Sequence, residues 1–240
     1  GGRWYVPRCR CGRRRRRGRG AAHDATSGDL KVAHCSDMAC TAATLTTLTF
    51  LQSEDNDGQF TSVTSTGGRG LISYYDSTDQ NLKLALCPDL ACTEATLTTT
   101  PDREGNVGQY SSVTIGTDGL ALISYYDATN GDLKVAHCSN SACTAATLTT
   151  VDRAGDVGQY SSVTIGADGL GLISYFDATN ADLKVAHCGN VACSTSSYEA
   201  PPRAASCISS QMSASVRFTS SFKTVSRTGR TVDSGSLRRQ

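Results

Sequence analysis

Residues 122–138 read LISYYDATNGDLKVAHC, and residues 172–188 repeat them almost letter for letter as LISYFDATNADLKVAHC. The likeness extends outward from this stretch, because 29 of 35 positions are identical between residues 109–143 and 159–193. Looser copies precede these two, and the aspartate that all copies share stands at positions 24, 76, 127 and 177. The spacings of 52, 51 and 50 residues are too long for leucine-rich, ankyrin or tetratricopeptide repeats and fit one four-stranded propeller blade.

Four short strands are predicted within each unit. In the third copy, β-branched and aromatic runs are separated by Asp118-Gly119 and Asn130-Gly131, pairs that favour tight turns. No stretch has helical periodicity, so the chain is predicted to be all-β. Units that cannot bury both faces alone must stack on their neighbours, which favours a β-propeller over the alternative, a β-sandwich. We expect antiparallel blades of about 50 residues, four clear and a fifth as a candidate. The strands predicted in the third copy are Gln109–Ile115, Leu120–Asp127, Asp132–Cys138 and Cys143–Val151.

The order of these segments resembles the blades of secreted bacterial propellers related to sialidase-type repeats and to propeller lectins. The resemblance covers residues 21–193, where QYSSVTI, an Asp-Gly hairpin, LISYYD, an Asn-Gly turn, DLKVAHC and a Thr-rich strand follow one another. The sialidase Asp-box, loosely Ser-x-Asp-x-Gly-x-x-aromatic, is approximated by residues 102–105 and 152–155, and Gln52 takes the aspartate position in an earlier copy. The resemblance implies a secreted β-propeller.

Eight of the eleven cysteines form four pairs with the same spacing. If the third and fourth strands of a unit meet in a hairpin there, the two cysteines lie opposite each other at disulfide distance. Metal binding is the alternative, but His137 and Cys138 would point to opposite faces, and Leu86 replaces the histidine in the second copy. We therefore predict disulfides and no metal site, which implies an oxidising compartment and hence secretion or the cell surface. The predicted pairs are Cys35–Cys40, Cys87–Cys92, Cys138–Cys143 and Cys188–Cys193, and Cys9, Cys11 and Cys207 are left over.

Charge divides the chain into three segments. Residues 1–20 carry nine Arg and no acid, residues 21–193 have a net charge of −13, and residues 194–240 have a net charge of +5. We interpret residues 21–193 as the propeller domain and residues 194–240 as an off-pattern Ser-rich basic tail or a degenerate blade. Residues 1–20 are an off-pattern Arg-rich segment, and a frame-shifted blade is one hypothesis for them, because CGN codons in a shifted frame encode Val, Ala, Asp and Gly. Because the chain begins with Gly1 and not Met, we also expect it to be a piece of a longer product.

The sequence offers little sign of catalysis. A catalytic residue in a repeat protein has to differ from its equivalents in the other units, and few positions do. A sialidase-type site would need several arginines to hold a substrate carboxylate, but residues 21–193 contain only Arg69, Arg103 and Arg153. No Ser-His-Asp arrangement or phosphate-binding Gly loop stands out. We therefore expect the chain not to be an enzyme.

Recurring Tyr, Asp and Asn side chains are the candidate binding groups. Along LISYYD, Ile123, Tyr125 and Asp127 share one face of the strand, so one Tyr per unit would lie near a groove. Aromatic faces beside carboxylates and amides are typical of sugar sites, and the alternatives are packing between blades and turn formation. No cofactor is expected, with Ca²⁺ at the Asp-x-x-Asn loops as the one candidate. The candidate ligand-binding residues are Tyr74, Asp76, Tyr125, Asp127, Asn130, Asp132, Tyr175, Asp177, Asn180 and Asp182.

The predicted function is that of a non-enzymatic extracellular module that recognises glycans or cell-surface components through repeated blades. The first alternative is a structural extracellular scaffold or filament subunit, and the second is a fragment of a sialidase-type glycosidase. The acidic core argues against nucleic acid as a partner, and no apolar run approaches the roughly 20 residues of a transmembrane helix. Near-identical units also make self-association through blades a candidate interaction.

Overall fold

A computed structural model describes residues 19–24, 27–48, 58–95 and 97–199. These residues form strands and turns and contain no helix, and hence no helix that is long and apolar enough to cross a membrane. The Arg run of residues 13–17 and the candidate degenerate blade after residue 199 lie outside the described residues, and so do Cys9, Cys11 and Cys207.

The described strands form four antiparallel sheets, one for each sequence unit. We call the sheets units 1 to 4. Unit 1 has three described strands, and units 2 to 4 have four each, ordered as they follow in the chain. The strands are β1 Arg19–His23, β2 Leu30–Cys35 and β3 Ala43–Leu48 in unit 1; β4 Gln59–Thr66, β5 Arg69–Asp76, β6 Asn81–Cys87 and β7 Leu97–Asp102 in unit 2; β8 Val107–Ile115, β9 Ala121–Asp127, β10 Asp132–Cys138 and β11 Ala146–Asp152 in unit 3; and β12 Val157–Ile165, β13 Gly171–Asp177, β14 Asp182–Cys188 and β15 Ser196–Glu199 in unit 4.

The predicted all-β propeller with four-stranded blades is confirmed. In unit 3 the third strand has the predicted bounds, and the second begins at Ala121, one residue later than predicted. The first strand begins two residues earlier, at Val107. The fourth begins three residues later, at Ala146, because the disulfide loop occupies the preceding residues.

Neighbouring units pack face to face through apolar side chains. Leu122, Leu133 and Val135 of unit 3 form one core cluster with Ile173 and Tyr175 of unit 4. The equivalent face of unit 4 has no described neighbour, and the difference is large: Leu133 is 0% exposed whereas its equivalent Leu183 is 59% exposed. A blade of this kind therefore buries its forward face only when another sheet covers it.

Glycines set the close approach between units. Gly108, at the start of β8, has φ +105°, and a Cβ there would lie 2.6 Å from the Cα of Leu82 in unit 2. Gly158 has the same relation to Leu133, at 2.8 Å. Only glycine combines this backbone conformation with this contact. The first strand of units 3 and 4 therefore rests directly on the backbone of the preceding unit, and we call the first strand of a four-stranded unit its inner strand.

The four predicted disulfides are confirmed, with Cα–Cα distances of 4.6–4.9 Å. The predicted cross-strand placement is wrong, because Cys138 faces Ala146 in the strand register and its partner Cys143 lies in the loop. Cys143 adopts φ 51°, and the other three second cysteines are equally left-handed. The ring of His137 contacts Asp118 Oδ2 through Nε2 at 2.8 Å, so it points away from the disulfide.

Candidate functional site

The predicted tyrosines Tyr74, Tyr125 and Tyr175 are buried between units. Tyr125 donates a hydrogen bond from its hydroxyl to Asp102 Oδ2 at 2.7 Å, and Tyr175 makes the same bond to Asp152 at 2.8 Å. Each bond joins the second strand of one unit to the last residue of the fourth strand of the preceding unit. These contacts hold neighbouring blades together, and ligand contact at the three tyrosines stays a prediction.

Each of these buried carboxylates, Asp102 and Asp152, also forms a salt bridge with a lysine. Lys134 Nζ lies 2.6 Å from Asp102 Oδ2 and 3.8 Å from Asp127 Oδ2. Lys184 bridges Asp152 and Asp177 in the same way. Burial alone raises the pKa of Asp102, but the hydrogen bonds from Lys134, Glu104 N and Tyr125 outweigh burial and hold that pKa below its ordinary value. The group is therefore a charged, internally satisfied network.

The predicted turn residues form hydrogen bonds within their own loops. Asp127 Oδ1 accepts bonds from the backbone N–H groups of Thr129 and Asn130 at 3.0 and 3.1 Å, and Oδ2 accepts one from Asn130 Nδ2 at 2.9 Å. Asp177 and Asn180 repeat the bonds between the Asp and Asn residues, and Asp76 uses Oδ1 in the same way. These are the bonds of Asx turns. Within the described ranges no three His, Cys, Asp or Glu side chains are placed to hold a metal ion.

Asp132 and Asp182 begin the third strands of units 3 and 4. Asp132 is partly exposed, and burial together with the nearby Asp127 raises its pKa, although Arg153 and Lys134 act in the opposite sense. Asp182 is the equivalent residue in unit 4. The structure thus brings the predicted Asp and Asn residues together only within each unit, at the turn between the second and third strands.

Three aromatic side chains that sequence reasoning missed form a continuous row across units 2 to 4. Phe60, Tyr110 and Tyr160 occupy the same position in the inner strands β4, β8 and β12, and successive ring centroids are 4.4 Å apart. Phe60 is 37% exposed and Tyr160 is 66% exposed. We call these three residues the aromatic row. The motif Gln-aromatic-(Ser/Thr)-Ser-Val at residues 59, 109 and 159 was the available sequence signal.

Each residue of the aromatic row sits in a β-bulge with a left-handed backbone. In unit 3, Gln109 pairs with Tyr126 and Ser112 pairs with Ser124, so two residues of β8 oppose one residue of β9. The φ angles of Phe60, Tyr110 and Tyr160 are 52°, 53° and 53°. This conformation costs a non-glycine residue roughly 1–2 kcal/mol, so an aromatic side chain is present three times where glycine would be free of strain.

Serines of the following unit hold the bulges in place. Ser111 Oγ donates to the carbonyl oxygen of Phe60 at 2.9 Å, and Ser161 Oγ donates to that of Tyr110 at 2.9 Å. Ser73 Oγ lies 2.9 Å from Ser111 Oγ, and since the proton of Ser111 is already used, Ser73 is the donor of that bond. The bulges at Phe60 and Tyr110 are therefore fixed by hydrogen bonds from the neighbouring blade as well as by their own strands.

Polar groups border the aromatic row on one side. Tyr75 donates from its hydroxyl to Asn106 Oδ1 at 2.8 Å, and Tyr126 donates to Asp156 Oδ1 at 2.7 Å. Gln109 Nε2 donates to Asn106 Oδ1 at 3.1 Å. The rings of Tyr75 and Tyr126 also flank the row, with centroids 6.1 Å from Phe60 and 6.2 Å from Tyr110.

The surroundings raise the pKa of two tyrosines of this region, Tyr110 and Tyr126. Burial and the hydrogen bond to Asp156 raise the pKa of Tyr126 to about 12. Burial, then the hydroxyl of Tyr160, raises the pKa of Tyr110 as well, and the carboxylate of Asp156 adds to the effect. Their hydroxyls are therefore hydrogen-bond donors, and the site combines a ridge of aromatic rings with fixed amide and carboxylate oxygens.

No protein-family model and no curated protein matches this chain, but solved structures share its fold. The exo-β-1,3-galactanase of Phanerochaete chrysosporium has a TM-score of 0.53 and 8% identity, and the match covers 76% of this chain and 47% of that chain. A bifunctional GH43-CE protein of Bacteroides eggerthii has a TM-score of 0.52 and 10% identity, with 81% of this chain and 27% of that chain covered. The NanB sialidase of Streptococcus pneumoniae gives 0.47, with 12% identity and coverage of 68% and 26%, a TM-score too low to support an argument.

These likenesses show the fold, and the chain spans less than half the length of each of these three proteins. They also correct the expected function. The expectation of a non-enzymatic binding module, and of no enzyme, is wrong on this finding, because the solved structures that share the fold include an exo-β-1,3-galactanase and a bifunctional GH43-CE protein. The error lay in taking near-identical units as a sign of repeated binding, because the same blade architecture serves proteins that cleave glycans.

Proposed function

We propose that the chain is the propeller part of a glycoside hydrolase that acts on an extracellular glycan. The observation that carries the proposal is a carboxylate, Asp156, fixed beside a row of aromatic rings at the start of the inner strands. The fold shared with the exo-β-1,3-galactanase of Phanerochaete chrysosporium supports the same class of reaction. A β-linked galactan is accordingly the first substrate to test.

Asp156 differs from the residue at the equivalent position of unit 3, as we expect of a catalytic residue in a repeat protein. The equivalent residue of unit 3 is Asn106, and both side chains accept a hydrogen bond from the tyrosine of the preceding unit. Gln159 Nε2 adds contacts of 3.4 Å to both carboxylate oxygens of Asp156. Only unit 4 among the described units therefore places a carboxylate there, which meets the requirement that a catalytic residue differ from its equivalents.

Asp132 is the candidate partner for Asp156. The equivalent of Asp132 in unit 4, Asp182, is the same residue type, but among the described units only Asp132 is followed by a unit that supplies a neighbouring carboxylate. Glycoside hydrolysis generally uses two carboxyl groups, one that protonates the leaving oxygen and one that acts as base or nucleophile. Asp132 has a raised pKa, as suits the proton donor. Asp132 follows Gly131, and a Cβ added at Gly131 would lie 3.5 Å from the Cα of Asp156, so the two loops are adjacent. In this proposal Asp132 supplies the proton, and Asp156 acts as the base or nucleophile, oriented by the hydrogen bond from Tyr126.

The compartment follows from the disulfides. Four disulfides in the described units fit an oxidising environment, and we propose secretion or display at the cell surface, where polymeric glycans are found. Calcium stays a candidate ligand of the turn at Asp127, whose carboxylate oxygens now accept bonds from Thr129 and Asn130. Activity measured with Ca²⁺ and again with EDTA would decide whether a metal contributes.

The test uses Asp156→Asn, because unit 3 shows that an asparagine fits this position. Release of reducing sugar from soluble β-1,3-galactan by the oxidised protein is measured for the wild type, Asp156→Asn and Asp132→Asn. We expect each variant to lose activity by about 100-fold or more. Asp182→Asn is the matched control for Asp132→Asn and should retain wild-type activity. Equal activity of wild type and Asp156→Asn would remove Asp156 from the mechanism.

A further inference from the structure

The aromatic residues of the inner strands have a left-handed backbone that costs conformational free energy. Phe60, Tyr110 and Tyr160 hold φ near 52°, a conformation that glycine adopts without strain. Residues held in unfavourable backbone regions persist where the surroundings over-determine them, and they concentrate at functional sites. An aromatic side chain in all three units therefore indicates that the ring itself is needed.

We propose that the aromatic row is a binding platform for a neutral glycan chain, with the C–H faces of its pyranose rings stacked on Phe60, Tyr110 and Tyr160. This deepens the proposed function and rests on it for the identity of the ligand. The rings are 4.4 Å apart and tilted by 47–50° to each other, so they form one ridged apolar surface across three blades. Aromatic surfaces of this kind, bordered by a few directed polar groups, suit sugar rings.

The row is held in place before any ligand arrives. The bulges at Phe60 and Tyr110 receive hydrogen bonds from Ser111 and Ser161, and the flanking rings of Tyr75 and Tyr126 are anchored by Asn106 and Asp156. Binding to such a surface orders few additional side-chain torsions, which lowers the entropic cost of association. The platform therefore suits weak sugar contacts that have to add up along a chain.

The charges near the row favour a neutral glycan over an acidic one. The polar groups that border it are the amides Asn106, Gln109 and Gln159 and the carboxylate Asp156. Lys134, on β10 of unit 3, is already paired with Asp102, and residues 21–193 have a net charge of −13. A uronic or sialic acid would be repelled by this surface, whereas hydroxyl groups can bond to the amides and to Asp156.

The experiment measures binding separately from hydrolysis. Affinity gel electrophoresis with soluble β-1,3-galactan, β-1,4-galactan and β-1,3-glucan is run on the oxidised wild-type chain and on Tyr160→Ala, Tyr160→Phe and Asp156→Asn. Leu45→Ala is the control, since Leu45 is 67% exposed and Tyr160 is 66% exposed. Polygalacturonate tests the charge argument. The two Tyr160 variants separate the ring from its hydroxyl, and the exposed position keeps both variants folded.

We expect at least one of the neutral polymers to retard the wild type, with binding about tenfold weaker for Tyr160→Ala. Tyr160→Phe and Leu45→Ala should bind as the wild type does, and polygalacturonate should not bind. Asp156→Asn should bind more weakly than the wild type but still measurably, because it loses one carboxylate oxygen that accepts from sugar hydroxyls while the aromatic row is intact. Equal binding by Tyr160→Ala, or no binding of any neutral polymer by the wild type, would overturn the platform. Binding without hydrolysis would keep the platform and reject the proposed hydrolase. Hydrolysis that is unaffected in Tyr160→Ala would keep the proposed hydrolase and reject the platform.

Discussion

Removing the carboxylate of Asp102 should destabilise the contact between units 2 and 3 more than any exposed substitution. The side chain is 0% exposed and accepts hydrogen bonds from Tyr125 Oη at 2.7 Å, Lys134 Nζ at 2.6 Å and Glu104 N at 3.0 Å. In Asp102→Ala these three donors lose their acceptor at once. The Tyr125 hydroxyl then has no described acceptor in a buried setting.

The magnitude follows from which partners remain. Breaking a buried ion pair by removing one member costs about 3–5 kcal/mol. Lys134 still has Asp127 at 3.8 Å, which compensates part of its charge, so we expect the low end, about 3 kcal/mol. Tyr125→Phe removes one hydrogen bond to a charged acceptor and should cost about 1.5–2 kcal/mol. In the Asp102→Ala background the same change should cost almost nothing, because the hydroxyl no longer has its acceptor.

The assay is equilibrium unfolding in urea of the oxidised protein, followed by near-ultraviolet circular dichroism. It is applied to wild type, both single variants and the double variant. Glu104→Ala is the control, since Glu104 lies in the same loop but is exposed, and its free energy of unfolding should stay within about 0.5 kcal/mol of wild type. The reasoning is refuted if Asp102→Ala behaves like Glu104→Ala. It is also refuted if Tyr125→Phe costs the same amount in both backgrounds.

Three further predictions concern the backbone, the disulfides and pH. Ala181 has φ 56° where the equivalent Gly131 has φ 75°, so Ala181→Gly should raise the free energy of unfolding by about 1 kcal/mol and Gly131→Ala should lower it, as thermal unfolding would show. Reduction with dithiothreitol should lower stability by about 2 kcal/mol for each bridge that opens in these short loops; unchanged unfolding after complete thiol release would contradict this. Burial alone raises the pKa of Asp152, but hydrogen bonds led by Lys184 lower it overall from 3.8. Its contribution to stability is therefore present above that value and lost as pH falls through the lower folded pKa. Melting temperatures recorded in acid should show this loss in the wild type and a flatter profile in Asp152→Asn.

Much of the fold could be predicted from the sequence because the same pattern of strands, turns and cysteines occurs in every unit. The period of about 50 residues, the Asp-Gly and Asn-Gly turns and the paired cysteines predict the blades and all four disulfides. The position of Cys143 could not be predicted, since a left-handed cysteine outside the strand ladder gives no compositional signal. Alternation along β9 correctly separates Tyr125 from Tyr126. The apolar run also indicates that both faces of this strand are covered, and the structure agrees. It does not decide between a groove and the space between blades for Tyr125, which the structure places between blades.

The aromatic row was hidden from sequence reasoning for a physical reason. Strand propensity treats Tyr110 as an ordinary residue of an extended segment, because tyrosine is favoured in strands and disfavoured at positive φ. The bulge arises from tertiary contacts: Gly108 rests on Leu82, and Ser161 of the next unit holds the Tyr110 carbonyl. Local sequence therefore predicts the strand, while the neighbouring blades determine how the ring is presented.

The exchange of Asn106 for Asp156 between units shows how a repeat fold can acquire chemistry at little structural cost. Both residues accept a tyrosine hydroxyl through Oδ1, at 2.8 and 2.7 Å, so the two side chains are interchangeable as structural acceptors. They differ in the second terminal atom of the side chain, which is an amide nitrogen that donates in Asn106 and a carboxylate oxygen that accepts in Asp156. A single substitution thus adds a carboxylate to a site whose position is already fixed by packing. The strong likeness between units is therefore compatible with an enzyme, because one unit can differ in charge while all of them share the same hydrogen-bonded frame.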